Sequence, residues 1–387
     1  MDKGKGKTLD PELINSQAAR EITDALPALK EKGQRRKALP VGQSSPGFTR
    51  STATWLSLFT ANNADRSPED ARSHTIELAD AIPFYHYGHQ PGPEIKALER
   101  RFVNRNREYL VTVLPATLED RIKRVNDGVD DKKSWTPRFP AEREALVFEA
   151  VKLLASQNAE LLDGNVGVGF TLSAAKRLLK ETGHDMSISQ IKAALQTMQR
   201  CTIIVKDASG KNVIEESIIK SLMFSKRGTR DLCFVQFNSF TTEAIRAGQY
   251  RGLKYQVVAR YQSIFARWLY KQMSHYFTQA SEIDPYEILA STALRNAGLF
   301  LSATPNSDGI YLCKKPNKWA KCIIEGLDEM LQTNSEAFPA ALKSYAHEPI
   351  RRGGYVKDYK FCIFASPAFI KDIKVENARI KYLSYQL

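Results

Sequence analysis

Between residues 171 and 200 the sequence ends one helix and begins another within four residues, from Gly183 to Ser187. Thr171 carries a side chain that can cap a helix whose apolar side is Leu172, Ala175, Leu178 and Leu179, and Gly183 suits the left-handed residue that stops it. Ser187-Ile188-Ser189-Gln190 then has the spacing of a capping box. The helix it predicts, 187–199, buries Ile188, Ile191, Leu195 and Met198. Two amphipathic helices joined this tightly make a helix-turn-helix.

The flanks extend the pattern. Leu146, Val147, Ala150, Val151 and Leu154 predict a helix over 142–157, and residues 164–169 a turn and short strand. Three β-type segments follow at 201–205, 213–224 and 231–237, with hairpin turns at 207–211 and 226–230. Helix, strand, helix, helix and basic hairpin is the winged-helix plan. A second copy is predicted further on. It comprises a long helix over 257–278, a helix over 285–296, a helix capped by Asn317 running to 331, and strands at 340–346 and 355–364 around a basic tip at 349–354. The expected fold class is α+β: two winged-helix (helix-turn-helix with β-hairpin wing) domains joined by a long helix, preceded by a flexible basic N-terminal arm. The expected divisions are the arm at 1–50, an N-terminal extension of mixed structure at 51–140, a first winged-helix domain at 141–256, and the linking helix with the second domain at 257–387.

Charge narrows the function. The chain of 387 residues carries 56 Lys and Arg against 43 Asp and Glu, a formal net charge of +13. That excess attracts a polyanion, nucleic acid or an acidic membrane surface. No apolar run reaches the about 18 residues of a membrane span, and the Lys-rich start has no secretory apolar region, so a cytoplasmic protein with no membrane partner is expected. Its five cysteines are scattered through apolar stretches without a CxxC pair, and read as reduced core residues.

A helix entering the major groove buries one face and offers polar and basic groups on the other. In helix 187–199 that free face is Ser189, Gln190, Lys192, Ala193, Gln196 and Arg200. Gln can pair with adenine and Arg with guanine, while Lys192 suits phosphate. Lys314, Lys315, Lys318 and Lys321, on and before helix 317–331, suit phosphates. Lys206, Lys211, Lys226, Arg227, Arg230, Arg351 and Arg352 lie at or beside turns, where a wing reaches phosphates or the minor groove. Each is also the kind of residue that an ordinary solvated face or turn carries; what sets them apart is their shared placement on the elements that would face DNA.

Enzyme signatures fail. Gly6-Lys7-Thr8 ends like a phosphate-binding loop but lacks its first glycine and a preceding strand. His86-Tyr87-Gly88-His89 echoes the paired histidines of rolling-circle nucleases, yet the spacing suits a loop better than a strand face. No enzymatic activity, metal or cofactor is expected.

The stretches PAEREALVFEAVKLLA (140–155), GVGFTLSAAKRLLKETGHDMSISQIKAALQTM (167–198) and YQSIFARWLYKQMSHYF (261–277) resemble, in pattern and order, the plasmid replication initiators of the TrfA-like and RepA-like tandem winged-helix family. WLSLFTANN at 55–63 is similar to the start of their folded region, and Lys318-Trp319 with LDEML at 327–331 to their second recognition helix. The resemblance implies binding to directly repeated double-stranded sites (iterons) at a plasmid origin. It also implies help in melting an adjacent AT-rich segment, recruitment of a host initiator and replicative helicase, and dimerisation. The departures from that family are the lengthy basic arm and region 64–135, which is not matched to it. Trp55-Leu56-Ser57-Leu58-Phe59 further resembles the peptide that docks on the bacterial sliding clamp through residues such as Leu56, Leu58 and Phe59, with Trp55 replacing the usual Gln. The commoner reading of such a pentapeptide is a buried segment. The alternative function is a winged-helix transcription regulator without an origin role; an inverted repeat in its promoter, rather than repeats beside an AT-rich segment, would mark it.

Overall fold

The computed structural model describes residues 54–61, 63, 66–67, 70–87, 90–92, 94–121, 133–227, 230–299, 316–332 and 338–386. The predicted arm at 1–50, Lys314 and Lys315 lie outside them.

In chain order the first part runs α1 (Thr54–Ala61), β1 (Arg72–Thr75), α2 (Glu77–Ala81), β2 (Leu98–Asn104), β3 (Arg107–Leu114), β4 (Ala116–Arg121), β5 (Lys133–Arg138) and α3 (Glu142–Asn158). It continues with β6 (Glu160–Leu162), β7 (Asn165–Thr171), α4 (Leu172–Glu181), α5 (Ile188–Arg200), β8 (Thr202–Asp207), β9 (Asn212–Ser217), β10 (Ile219–Arg227), β11 (Arg230–Phe237) and α6 (Ser239–Arg246). The remainder is β12 (Arg251–Lys254), α7 (Tyr255–Arg260), α8 (Ile264–Tyr276), β13 (Tyr286–Leu289), α9 (Ala290–Asn296), α10 (Pro316–Leu331), β14 (Leu342–Arg352), β15 (Tyr355–Ala365) and α11 (Pro367–Gln386). The architecture is mixed α and β, with small antiparallel sheets between helices.

The tight joint forms as its residues dictate. Thr171 Oγ1 accepts from the Ala174 amide at 3.2 Å and starts α4. Gly183, at φ +88°, ends it, with the His184 amide donating back to Leu179 O at 2.8 Å. The Ser187 and Gln190 side chains then each accept from the other's amide, at 3.2 and 2.7 Å, and start α5.

The two halves share one strand order. In the first, β7 pairs with β11 and β11 with β10; in the second, β13 pairs with β15 and β15 with β14. Each time the strand before the helix pair lies beside the second strand of a hairpin that follows it. The first core gathers residues from Leu56 to Ala259, so Phe102, Val111 and Val113 of β2 and β3 pack in the same cluster as Val147 and Leu195. The second runs from Leu253 to Ile373.

Four expectations are corrected. The single strand over 213–224 is two strands in different sheets: β9 joins the sheet β2-β3-β8-β9, and after buried Ile218 the chain crosses to β10. The turn at 207–211 therefore belongs to an inserted hairpin, β8–β9, and Lys206 and Lys211 sit there and not on the hairpin beside α5. The long helix over 257–278 is broken into α7 and α8 at 261–263, where Ser263 Oγ accepts from Ala266 N and caps a new helix. The expected linking element is thus two shorter helices and not one long helix. Helix 285–296 begins as strand β13, because β15 offers it an edge, and turns helical only at Ala290. Asn317 lies inside the first turn of α10 and is not its cap.

Candidate nucleic-acid interface

Helix α5 buries Ile191, Ala194, Leu195, Thr197 and Met198 and leaves Ser189, Gln190 and Arg200 exposed, with Lys192, Ala193 and Gln196 half-buried beside them. The polar face is engaged at both ends. Gln190 spends its carbonyl oxygen on the capping box. Ser189 Oγ lies 2.8 Å from Ser187 Oγ. Arg200 donates to Thr117 O of β4 at 3.2 Å, so the paired strands β4 and β5 stand against the end of this helix. Gln196 lies between these ends and takes part in neither contact.

Lys192 ties the helix to the neighbouring hairpin. Its ammonium is 3.2 Å from Asp231 on β11 and 5.7 Å from the ring centre of Phe224 on β10. Lys226 is exposed on that hairpin. Arg227 and Arg230 face one another across its end, and their side chains lie outside the described residues.

Helix α10 repeats the arrangement. Ala320, Ile323, Gly326, Leu327 and Met330 are buried; Lys318 and Lys321 are exposed near its start, and Glu325 and Asp328 further along. Lys321 is 79% exposed and 3.9 Å from Glu325, a loose pair that leaves the ammonium available to another anion. The Tyr359 hydroxyl donates to Asn317 Oδ1 at 2.8 Å and the Tyr345 hydroxyl to Asp328 Oδ1 at 2.6 Å, so here too the helix is fastened to the hairpin that follows it.

The β14–β15 hairpin ends in a two-residue turn. Gly353 and Gly354 both have positive φ, +59° and +79°, as a tight hairpin turn of this hand requires. Ile350, Arg351, Arg352 and Tyr355 are all exposed around it, and Tyr355, 74% exposed, is paired with Arg352. Tyr355 is not among the residues that charge and turn position single out in the sequence. Its signal was an aromatic placed directly after the glycines, opposite an arginine.

Leu56 and Phe59 are buried in the first core and Leu58 packs against it. The clamp-docking candidate is therefore corrected: its apolar side chains hold α1 on the core. His86 is buried near Phe139, its amide bonded to Pro140 O, and His89 lies outside the described residues. Among the described residues no helix is long and apolar enough to cross a membrane.

No protein-family model matches the chain, and no curated protein matches it. Among solved structures it is similar to domains 2 and 3 of RctB. One such structure covers 77% of this chain and 98% of that one at 10% identity and a TM-score of 0.43, and another gives the same coverages at 8% and 0.42. It is also similar to Pi initiator protein in complex with iteron DNA, at 12% identity and a TM-score of 0.41 over 58% of this chain and 91% of that one. Overlaps this loose carry no functional argument.

Proposed function

We propose that the chain binds double-stranded DNA through two winged-helix units and acts as a plasmid replication initiator on repeated origin sites. One observation carries the DNA-binding reading. Both halves have the same strand order, and each holds a helix with an exposed polar face fastened to a hairpin with exposed basic residues. A helix about 10–12 Å wide fits a major groove about 12 Å wide, and a basic hairpin beside it reaches the backbone or the next minor groove. The initiator role rests on the order of elements that resembles that family. Melting of an AT-rich segment, recruitment of host replication proteins and dimerisation belong to the same proposal.

The test is a salt titration of binding to a duplex selected from a random pool and to a scrambled one. Lys318→Ala and Lys321→Ala should weaken both complexes and lower the slope of log K against log salt by about one per lost phosphate contact. Loss of sequence preference alone would overturn their assignment to phosphates, and absence of any selected sequence would overturn the function. Direct repeats beside an AT-rich segment flanking the gene are expected; a lone inverted repeat would favour a transcription regulator. The proposal includes no catalysis, so purified protein with magnesium or manganese should leave ATP and supercoiled DNA intact. Nicking abolished by replacing one tyrosine would reverse it.

A further inference from the structure

The break between α7 and α8 is held from both sides. From the second half, the Glu329 carboxylate of α10 accepts from the amides of Gln262 and Ser263, at 2.6 and 2.8 Å. A carboxylate at a helix N-terminus satisfies amides that have no partner within the helix and meets the positive end of its dipole. Gly326, one turn earlier, lets α10 come this close: a Cβ there would lie 2.8 Å from Phe265 and 3.3 Å from the Ala266 amide. From the first half, His184 sits in the turn between α4 and α5, and its ring nitrogen is 2.7 Å from Ala259 O. Arg267 closes the joint. It donates to Tyr261 O at 2.6 Å and pairs with Glu142 at the start of α3.

The joint therefore touches the turn that aims α5 on one side and the body of α10 on the other. We propose that Glu329 and His184 are positioning residues that hold α5 and α10 at one separation and one rotation. The chain is then a ruler: it reads two blocks of bases only at a fixed spacing. The inference rests on the DNA-binding reading above. A flexible joint would let each half find its own block and tolerate many spacings, as a linked pair of modules does. Here the backbone at 259–263 has its carbonyls and amides engaged by both halves.

Two measurements on the full chain test it. The first needs no DNA. Spin labels are placed at K180C on α4 and E325C on α10, in a chain with C313S, C322S and C362S. They should give one narrow distance distribution, and adding Glu329→Ala should broaden it. A distribution left narrow by Glu329→Ala overturns the proposal. The milder Glu329→Gln, which keeps an oxygen acceptor, should broaden it less, and it serves if the alanine variant does not fold. The second measurement is selection from a random duplex pool. The native chain should enrich two blocks at a single spacing, and the Glu329 and His184→Ala variants the same blocks at several spacings. Several spacings with the native chain overturn the ruler while leaving DNA binding intact. No enriched sequence with the native chain overturns the DNA reading, and the ruler with it.

Discussion

Gln190 and Gln196 are both candidates on the polar side of α5, but their chemistry differs. Reading adenine takes both the donor and the acceptor of a glutamine amide, and Gln190 already gives its oxygen to the Ser187 amide. Gln196 carries no such duty. Gln196→Ala should therefore change which base is preferred, costing about 1–3 kcal/mol at that position if the contact is bidentate. Gln190→Ala should chiefly loosen the start of α5, lowering thermal stability by the ~0.5–2 kcal/mol typical of lost capping. Comparing selected sequences with melting curves checks both. Identical base preference in the Gln196 variant would remove it from the reading face. Arg200 stands between these cases, because reaching a guanine means leaving Thr117 O.

At the level of elements, local signals were legible and long-range ones were not. The caps at Thr171 and Ser187 and the stop at Gly183 are written in adjacent residues, and they form as read. The break at 261–263 depends on a carboxylate 67 residues further on, which no local periodicity reveals. The split of 213–224 likewise depends on which edge is offered: β8 takes one half and β11 the other. For the candidate site, the positions of Lys318, Lys321, Arg351 and Arg352 were legible from charge beside a turn. The engagement of Lys192 by Asp231 was not, because the partner arrives on another strand. Close packing at Gly326 gives the prediction proper to this scale. Gly326→Ala removes a helix-weakening glycine, worth up to about 1 kcal/mol on an open helix. Its Cβ meets backbone at 3.3 Å and a core ring at 2.8 Å, so overpacking of about 1–3 kcal/mol should win. The variant is expected to melt at a lower temperature; a higher melting temperature would mean that α10 can shift away from α8 at no cost.

On the scale of the whole molecule, α11 returns to the first half and is fastened there by charge. Glu376, 2% exposed, pairs with Arg72 at 3.0 Å and with Arg379 at 2.8 Å and accepts from the Gly252 amide at 2.8 Å. Arg379 also donates to Tyr250 O, and Asn377 joins Arg251 to Thr278 O. Burial opposes ionisation of Glu376, but Arg379, Arg72 and the Gly252 amide outweigh it and bring its pKa from the ordinary 4.5 to about 2. A depressed carboxylate pKa means stability that is complete above the unfolded value and is lost as pH falls toward the folded one. The contact should therefore hold at neutral pH and give way between about 4.5 and 2, withdrawing on the order of 3 kcal/mol. Asp80 and Glu149 act in the same direction. Desolvation opposes their ionisation, but Lys152 and Lys271 outweigh it and hold both carboxyls below the usual range. Because α8 supplies Lys271 while α2 and α3 supply the acids, this second cluster also joins the halves. Glu376→Gln separates the two contributions. It leaves Arg72 and Arg379 buried with less compensation, so it should destabilise at pH 7 by roughly 3–5 kcal/mol, as removing one partner of a buried pair does. It should also flatten, without abolishing, the fall in melting temperature on acidification, since Asp80 and Glu149 still titrate. The measurement is a series of thermal melts of both proteins from neutral to acid. An acid slope unchanged by Glu376→Gln would mean that the contact of α11 contributes nothing there and that the α2–α3–α8 cluster alone sets the acid limit.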